Sequence, residues 1–289
     1  MLAVLYACVS AAAFGGLSVA IRMALRASPN AELGSLVTSG VAFAVTVAIA
    51  AASVPSRAEL RPDELWPFVL AGALAPGLSQ LFFFQAVRDV GASRASVIVG
   101  TAPLVSFAIA LLALGEPLRW PLVGGAVLIV AGSVALGLER VRPEGFSRIG
   151  VGLAFACTAM FSTRDNLLRW LSTGTTVAPL TAAAVAMGGG AATLLGYLVA
   201  RGAVTRDALR ASARSFVAPG LLFGASYATL FAAYYRGRVT VVSPLVATES
   251  LWGVVFALLL LRHSERIGRH VVLGAFLVVA GGALIGAAR

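Results

Sequence analysis

Glu249 stands about ten residues inside the apolar run 239–261, and Trp252 follows it one helical turn later. A carboxylate beside an aromatic face is suited to attract a cationic group. Arg164 and Asp165 interrupt a second apolar run, 149–170, about seven residues before its end. Asp165 and Arg169 are four residues apart, the spacing of an ion pair along a helix. Gln80 and Tyr227 are polar groups in two further apolar runs, 65–87 and 215–236. Glu249, Trp252, Arg164, Asp165, Gln80 and Tyr227 could together bind a small molecule or carry a proton. For each, the structural alternative is a hydrogen bond or ion pair that holds helices together.

Other reactive types carry less. His263 and His270 share one short charged segment with no acidic ligand motif around them, so no metal site is expected. Cys8 and Cys157 form neither a CxxC nor a Cys/His cluster and read as small packing residues. All 22 basic residues are arginine, which excludes Schiff-base and lysine-dependent phosphate chemistry. No nucleotide-binding motif occurs, and no cofactor or catalytic residue is assigned.

The surrounding composition sets where these groups must sit. With 59% hydrophobic and 12% charged residues, and a mean hydropathy of +0.93, the chain lies far from the roughly 25% charged content of soluble domains. It is an integral membrane protein. The net charge of +10 raises nucleic acid as a partner. However, the arginines flank apolar runs and form no basic face with interleaved aromatics, so nucleic acid is set aside and they are read as interfacial anchors. About 20 apolar residues cross the ~30 Å hydrocarbon core. Ten runs fit, at 2–25, 33–53, 65–87, 94–114, 119–138, 149–170, 177–200, 215–236, 239–261 and 269–287. Barrel strands alternate over about ten residues and do not match these continuous runs. The first run lacks the basic n-region of a signal peptide and is kept as a transmembrane helix. Trp66, Trp120 and Trp170 fall at span ends, where aromatic belts are expected.

Phe107, Ala108, Glu116, Gly125, Ala126, Ala131 and Gly132 recur 149 residues later as Phe256, Ala257, Glu265, Gly274, Ala275, Ala280 and Gly281. The chain is therefore two copies of one unit, 1–138 and 149–289, joined by a charged linker at 139–148 that contains Pro and Gly. Five spans per copy make the second copy enter the membrane from the opposite side, and both termini end on one side. The same shift pairs Cys8 with Cys157, Gln80 with Thr229 and Glu249 with Gly100, leaving Arg164, Asp165 and Glu249 without counterparts. Glu116 and Glu265 occupy equivalent loops of inverted halves, so they lie on opposite membrane faces and cannot act as a catalytic pair. Each is expected to cap a helix or to pair with Arg119 or Arg266. Small-residue ladders at Ala184, Gly188, Ala192 and Gly196, and at Gly282 and Gly286, predict tight helix contacts within the molecule. Arg206, Arg210 and Arg214 predict a polar helix face along the headgroups.

Three motifs in the first copy have matches in the second. Phe14-Gly15-Gly16, Gly115-Glu116-Pro117-Leu118 and Gly125/Gly132 are answered by Phe161-Ser162-Thr163, Ser264-Glu265-Arg266-Ile267 and Gly274/Gly281. Over essentially its whole length the chain resembles the EamA repeat pair of the drug/metabolite transporter superfamily. It departs in having Phe where Trp is usual in the first helix of each copy, and Ser264 where Gly is usual. The resemblance implies an all-α integral membrane fold, ten transmembrane helices as two inverted five-helix EamA repeats. It also implies cytoplasmic termini, whereas the arginines concentrate in the loops opposite the termini, which points the other way. The expected location is the cell (inner) membrane.

The sixth span ends on the side where the ninth begins, so at 1.5 Å per residue Arg164 and Glu249 differ in depth by about 5 Å. They could line one cavity, Arg164 meeting a substrate carboxylate and Glu249 an amine or a coupling proton. The expected function is secondary transport by alternating access: export of small amphipathic metabolites, amino acids or organic cations, with a small-molecule substrate and the lipid bilayer as partners and a monomer or homodimer as the assembly. Small multidrug resistance proteins use a carboxylate in the first helix, and none occurs between Met1 and Ala31, which leaves Glu249 or Asp165 for any proton coupling. Two other classes stay open. A membrane enzyme acting on lipid-linked substrates would need an acidic or histidine cluster, which only Asp63-Glu64 approaches. A nontransporting scaffold or sensor would need no polar cavity.

Overall fold

The computed structural model describes residues 1–53, 62–90, 98–99, 101–137, 148–260 and 269–288. Residues 139–147 of the expected linker lie outside them, as do Gly100, His263, Glu265 and Arg266. The described residues are almost wholly helical and contain no strand. We label the helices α1 (Leu2–Ala27), α2 (Ala31–Ser53), α3 (Pro62–Gly72), α4 (Ser79–Val90), α5 (Ala102–Ala113), α6 (Trp120–Gly137), α7 (Arg148–Gly174), α8 (Pro179–Ala200), α9 (Arg206–Arg236), α10 (Val239–Val246), α11 (Glu249–Leu260) and α12 (Arg269–Ala288). Six helical stretches among them are long and apolar enough to cross a membrane, and α5, α6 and α12 are shorter apolar helices. The polar α7, 27 residues long, completes the set of ten spans.

Two glycine contacts show the inversion directly. A methyl on Gly125 of α6 would stand 2.8 Å from the Gly281 carbonyl oxygen of α12, and one on Gly132 would stand 2.7 Å from that of Gly274. Seven residues forward on α6 is seven residues back on α12, so the repeat-equivalent helices cross antiparallel. The rest of the packing obeys the same exchange. α1 lies against α9 and α11, as α7 lies against α4 and α5; α2 packs on α8 and α9, as α8 packs on α2 and α3. Close approach without a side chain is what lets helices associate where lipid offers no hydrophobic drive. The expected ladders are met in part. On α8, Gly188 faces the Phe43 ring of α2 with 3.0 Å left for a methyl, while tighter contacts are made by its neighbours Gly189, against the Val69 carbonyl, and Gly190, against Pro76; at the α6 crossing Gly281 stands in place of Gly282.

Three spans expected to be continuous are broken or extended. α3 and α4 are separated by a kink, Ala73–Leu78, in which Ala75 has extended, non-helical backbone angles. The ninth span breaks at Ala247 and Thr248, between α10 and α11. α9 starts at Arg206, so the arginine segment expected as a separate surface helix is the first turns of the eighth span.

The repeat register also differs from a uniform shift of 149. Ser10 Oγ donates to the Ser226 carbonyl at 3.0 Å, and its counterpart is Cys157 Sγ, 3.4 Å from the Ser79 carbonyl. Thr101 Oγ1 donates to the Ile98 carbonyl at 2.6 Å and Thr248 Oγ1 to that of Leu245 at 2.7 Å, each starting the next helix in the same way. Both pairs are 147 residues apart. Cys157 thus stands opposite Ser10 rather than Cys8, Gln80 opposite Tyr227 rather than Thr229, and Glu249 opposite Ala102 rather than Gly100. Ahead of the kink the register is 148, with Gly72 against Ala186 matching Gly220 against Thr38. The kink at Ala73–Leu78 holds one residue more than the matching stretch of α9, which accounts for the step from 148 to 147.

Candidate substrate site

Thr158, Ser162, Asp165, Asn166 and Arg169 recur at helical spacing along α7 and turn one polar stripe of that helix inward. At its centre Arg164 and Asp165 are buried, each only 6% exposed. Arg164 reaches Asp165 Oδ1 through Nε at 2.9 Å and through Nη2 at 2.8 Å. Its Nη1 donates to the Tyr227 hydroxyl on α9 at 2.7 Å, and the guanidinium carbon lies 5.4 Å from the ring centres of both Phe161 and Tyr227. The second Asp165 oxygen faces the hydroxyls of Ser106 on α5 and Ser243 on α10, at 3.5 and 3.4 Å. The buried Tyr234 hydroxyl looks towards Asp165 and Ser243 without a well-formed hydrogen bond. Asn166 Nδ2 donates to the carbonyls of Ser106 and Ser162. Desolvating two charges is repaid only when they meet each other and further polar groups, and this pair does both. The expected Asp165–Arg169 bridge is not formed. Adjacent Arg164 takes Asp165, and Arg169 donates instead to the Tyr234 carbonyl at 3.3 Å.

Glu249 is placed differently. It is the first residue of α11, where the free amides of a helix start favour a negative charge. It is half-buried and lies within electrostatic reach of Arg164, Asp165 and Tyr227. No described residue forms a hydrogen bond or ion pair with its carboxylate. Gly15 of α1 holds this segment from behind, against the Glu249 carbonyl and the Trp252 Cβ. Trp252 stacks on Phe256 with ring centres 6.0 Å apart.

The structure thus brings Arg164, Asp165, Tyr227 and Glu249 to one level between the two halves, with Trp252 on the turn after Glu249. Tyr227 is fixed by edge contacts to Phe14 at 6.0 Å and Phe223 at 4.8 Å. Gln80, its counterpart in the first copy, has a buried Oε1 with no hydrogen-bond partner. Ser106, Ser243 and Asn166 are the residues sequence reasoning missed. Asn166 was visible in the α7 polar stripe; the two serines, lone small hydroxyls in apolar runs, left no signal. Glu116 is a helix cap as expected: its carboxylate accepts from the Val239 and Thr240 amides at 2.8 and 3.0 Å and from the Thr240 hydroxyl at 2.7 Å, at the start of α10. Next to it, a cavity of about 340 Å³ lined by Leu114, Glu116, Arg169, Trp170 and Arg238 opens at the end of the bundle that also holds both chain ends.

Antiparallel repeats, helices broken near mid-span and charged groups at the repeat interface define a secondary-transporter type of membrane protein. The sequence model of the EamA-like transporter family matches residues 1–138 and again 148–287, and the chain belongs to that family. A solved crystal structure, described only as that of a protein, is 20% identical and superposes with a TM-score of 0.78 over 98% of this chain and 95% of its own, a likeness of fold. No curated protein matches the chain.

Proposed function

We propose that this EamA-family transporter exports small amphipathic metabolites, amino acids or organic cations, across the cell (inner) membrane by alternating access. In this reading the repeats 1–138 and 149–289, joined at 139–148, rock about the buried charges, and both termini are cytoplasmic. Glu249 receives the amine of the substrate or a coupling proton, and Trp252 offers it an aromatic face. Gln80 and Tyr227, at equivalent positions, form the two walls.

The observation that carries the reading is the contrast between the two charged groups. Arg164 is saturated by Asp165, Tyr227 and two ring faces, whereas Glu249 is half-buried and unpartnered among the described residues. The pair Arg164–Asp165 is internally neutral, which leaves Glu249 as the uncompensated charge. Recognition of an amine is therefore favoured over capture of a carboxylate by Arg164, and Arg164 and Asp165 position the pocket.

The test is flux in proteoliposomes carrying the purified chain, with a panel of amino acids and organic cations and an imposed pH gradient. Glu249→Gln is expected to reduce driven flux at least a hundredfold while leaving thermal stability near that of the wild type. Unchanged flux with unchanged pH dependence would remove Glu249 from the mechanism.

A further inference from the structure

α9 is 31 residues long, about 46 Å at 1.5 Å per residue, and outruns the ~30 Å hydrocarbon core by roughly three turns. The excess lies at its N-terminal end. Ser212 Oγ meets Ser28 Oγ at 3.3 Å, and Ser28 is the residue on which α1 ends, so the turns before Ser212 lie beyond the last turn of α1. Arg206, Arg210 and Arg214 project from this extension at i, i+4 and i+8, all exposed, while Ser212 and Phe216 on the other side are buried. Nearby Arg201 is held by Glu32 at 3.2 Å. Among the described residues, Arg206, Arg210 and Arg214 have no such partner, and Asp207 is the one acidic residue in the first turn.

We infer that Arg206, Arg210 and Arg214 form a docking strip for the phosphate headgroups of anionic phospholipids. The strip covers about 12 Å of helix, reaching from the edge of the hydrocarbon out through the headgroup layer. At that depth arginine stems lie along acyl chains while the guanidinium forks meet phosphate oxygens two at a time. A zwitterionic headgroup offers the same phosphate with a neutralising ammonium, so the net charge of the strip selects anionic lipid.

The experiment uses the full chain purified in zwitterionic detergent, with phosphatidylglycerol or phosphatidylcholine added. Bound lipid is counted by native mass spectrometry and stability is read by thermal unfolding. Phosphatidylglycerol is expected to be retained and to raise Tm, and retention is expected to weaken on the order of fivefold for each arginine changed to glutamine. If the triple variant R206Q/R210Q/R214Q does not fold, Arg210→Gln alone and the wild type at high salt give the same reading, since both must lose bound lipid. Equal retention of phosphatidylglycerol by wild type and variants, or equal stabilisation by phosphatidylcholine, overturns the proposal. So does full stabilisation by inorganic phosphate, which would make the strip a site for soluble anions.

Discussion

Gly15 and Glu249 are pressed backbone to backbone. A methyl on Gly15 would stand 2.8 Å from the Glu249 carbonyl oxygen and 2.5 Å from the Trp252 Cβ. The unpartnered carboxylate thus owes its position to the missing side chain of a residue on another helix. Gly15→Ala must push α11 away from α1, and overpacking of this kind costs about 1–3 kcal/mol. The expected outcome is a lower Tm in detergent together with loss of flux. Gly40→Ala is the control: nothing lies within 4 Å of the added methyl, and the better helix former is expected to leave Tm unchanged or slightly raised.

The Arg164–Asp165 pair predicts strong non-additivity. Arg164→Met or Asp165→Leu alone leaves one buried charge uncompensated and is expected to destabilise by about 3–5 kcal/mol, whereas the double change should recover most of that loss. Tyr227→Phe keeps the ring and removes one acceptor from Arg164, so its cost should be smaller, about 1–3 kcal/mol. Chemical denaturation of the four variants measures the cycle. Additive losses would mean that the two charges do not depend on each other.

Glu116 ties the loop after α5 to the first amides of α10, and so joins the two halves at the end of the bundle that carries the chain termini. Glu116→Gln keeps one acceptor oxygen and loses the charge-assisted bonds, for an expected cost of about 1–2 kcal/mol. Thr173→Cys, at a residue that lines the neighbouring cavity, in a background with Cys8 and Cys157 changed to serine, should then react faster with a membrane-impermeant maleimide, because that end opens more often. Unchanged labelling would show that the cap holds a helix without governing access at that end.

The span count, the inversion and the unusual charges were legible because each follows from one-dimensional information: the length of apolar runs, a repeat, and ionisable residues inside them. Registration was only partly legible. Identity between the copies is densest around α6 and α12, where the shift is 149, and that shift was carried into helices where the structure has 147. The discrepancy hid the equivalence of Gln80 and Tyr227, although both residues were already candidates. The partner of Asp165 was misjudged for a different reason. An i, i+4 spacing says that two side chains share a helix face, but burial decided the pairing. Arg169 lies about one turn nearer the membrane edge and is only half-buried, while Arg164 lies at the depth where an uncompensated charge is most costly. The break before Glu249 was equally hidden, since Ala247 and Thr248 carry no helix-breaking signature.

The glycine crossing of α6 and α12 has a bearing on how such a chain arises. Each of those helices alone presents the complete matching surface, so a single-copy protein could pair with a second molecule inserted upside down. In that assembly a mutation at one glycine changes both crossing points at once. Joining the copies in one polypeptide fixes their opposed insertion and separates their fates. One copy can then acquire Arg164, Asp165 and Glu249 while the other keeps Leu17, Ser18 and Ala102 at the matching places. A central site with a single uncompensated charge is open to a fused pair and closed to a symmetric dimer, in which every charge at the interface must appear twice.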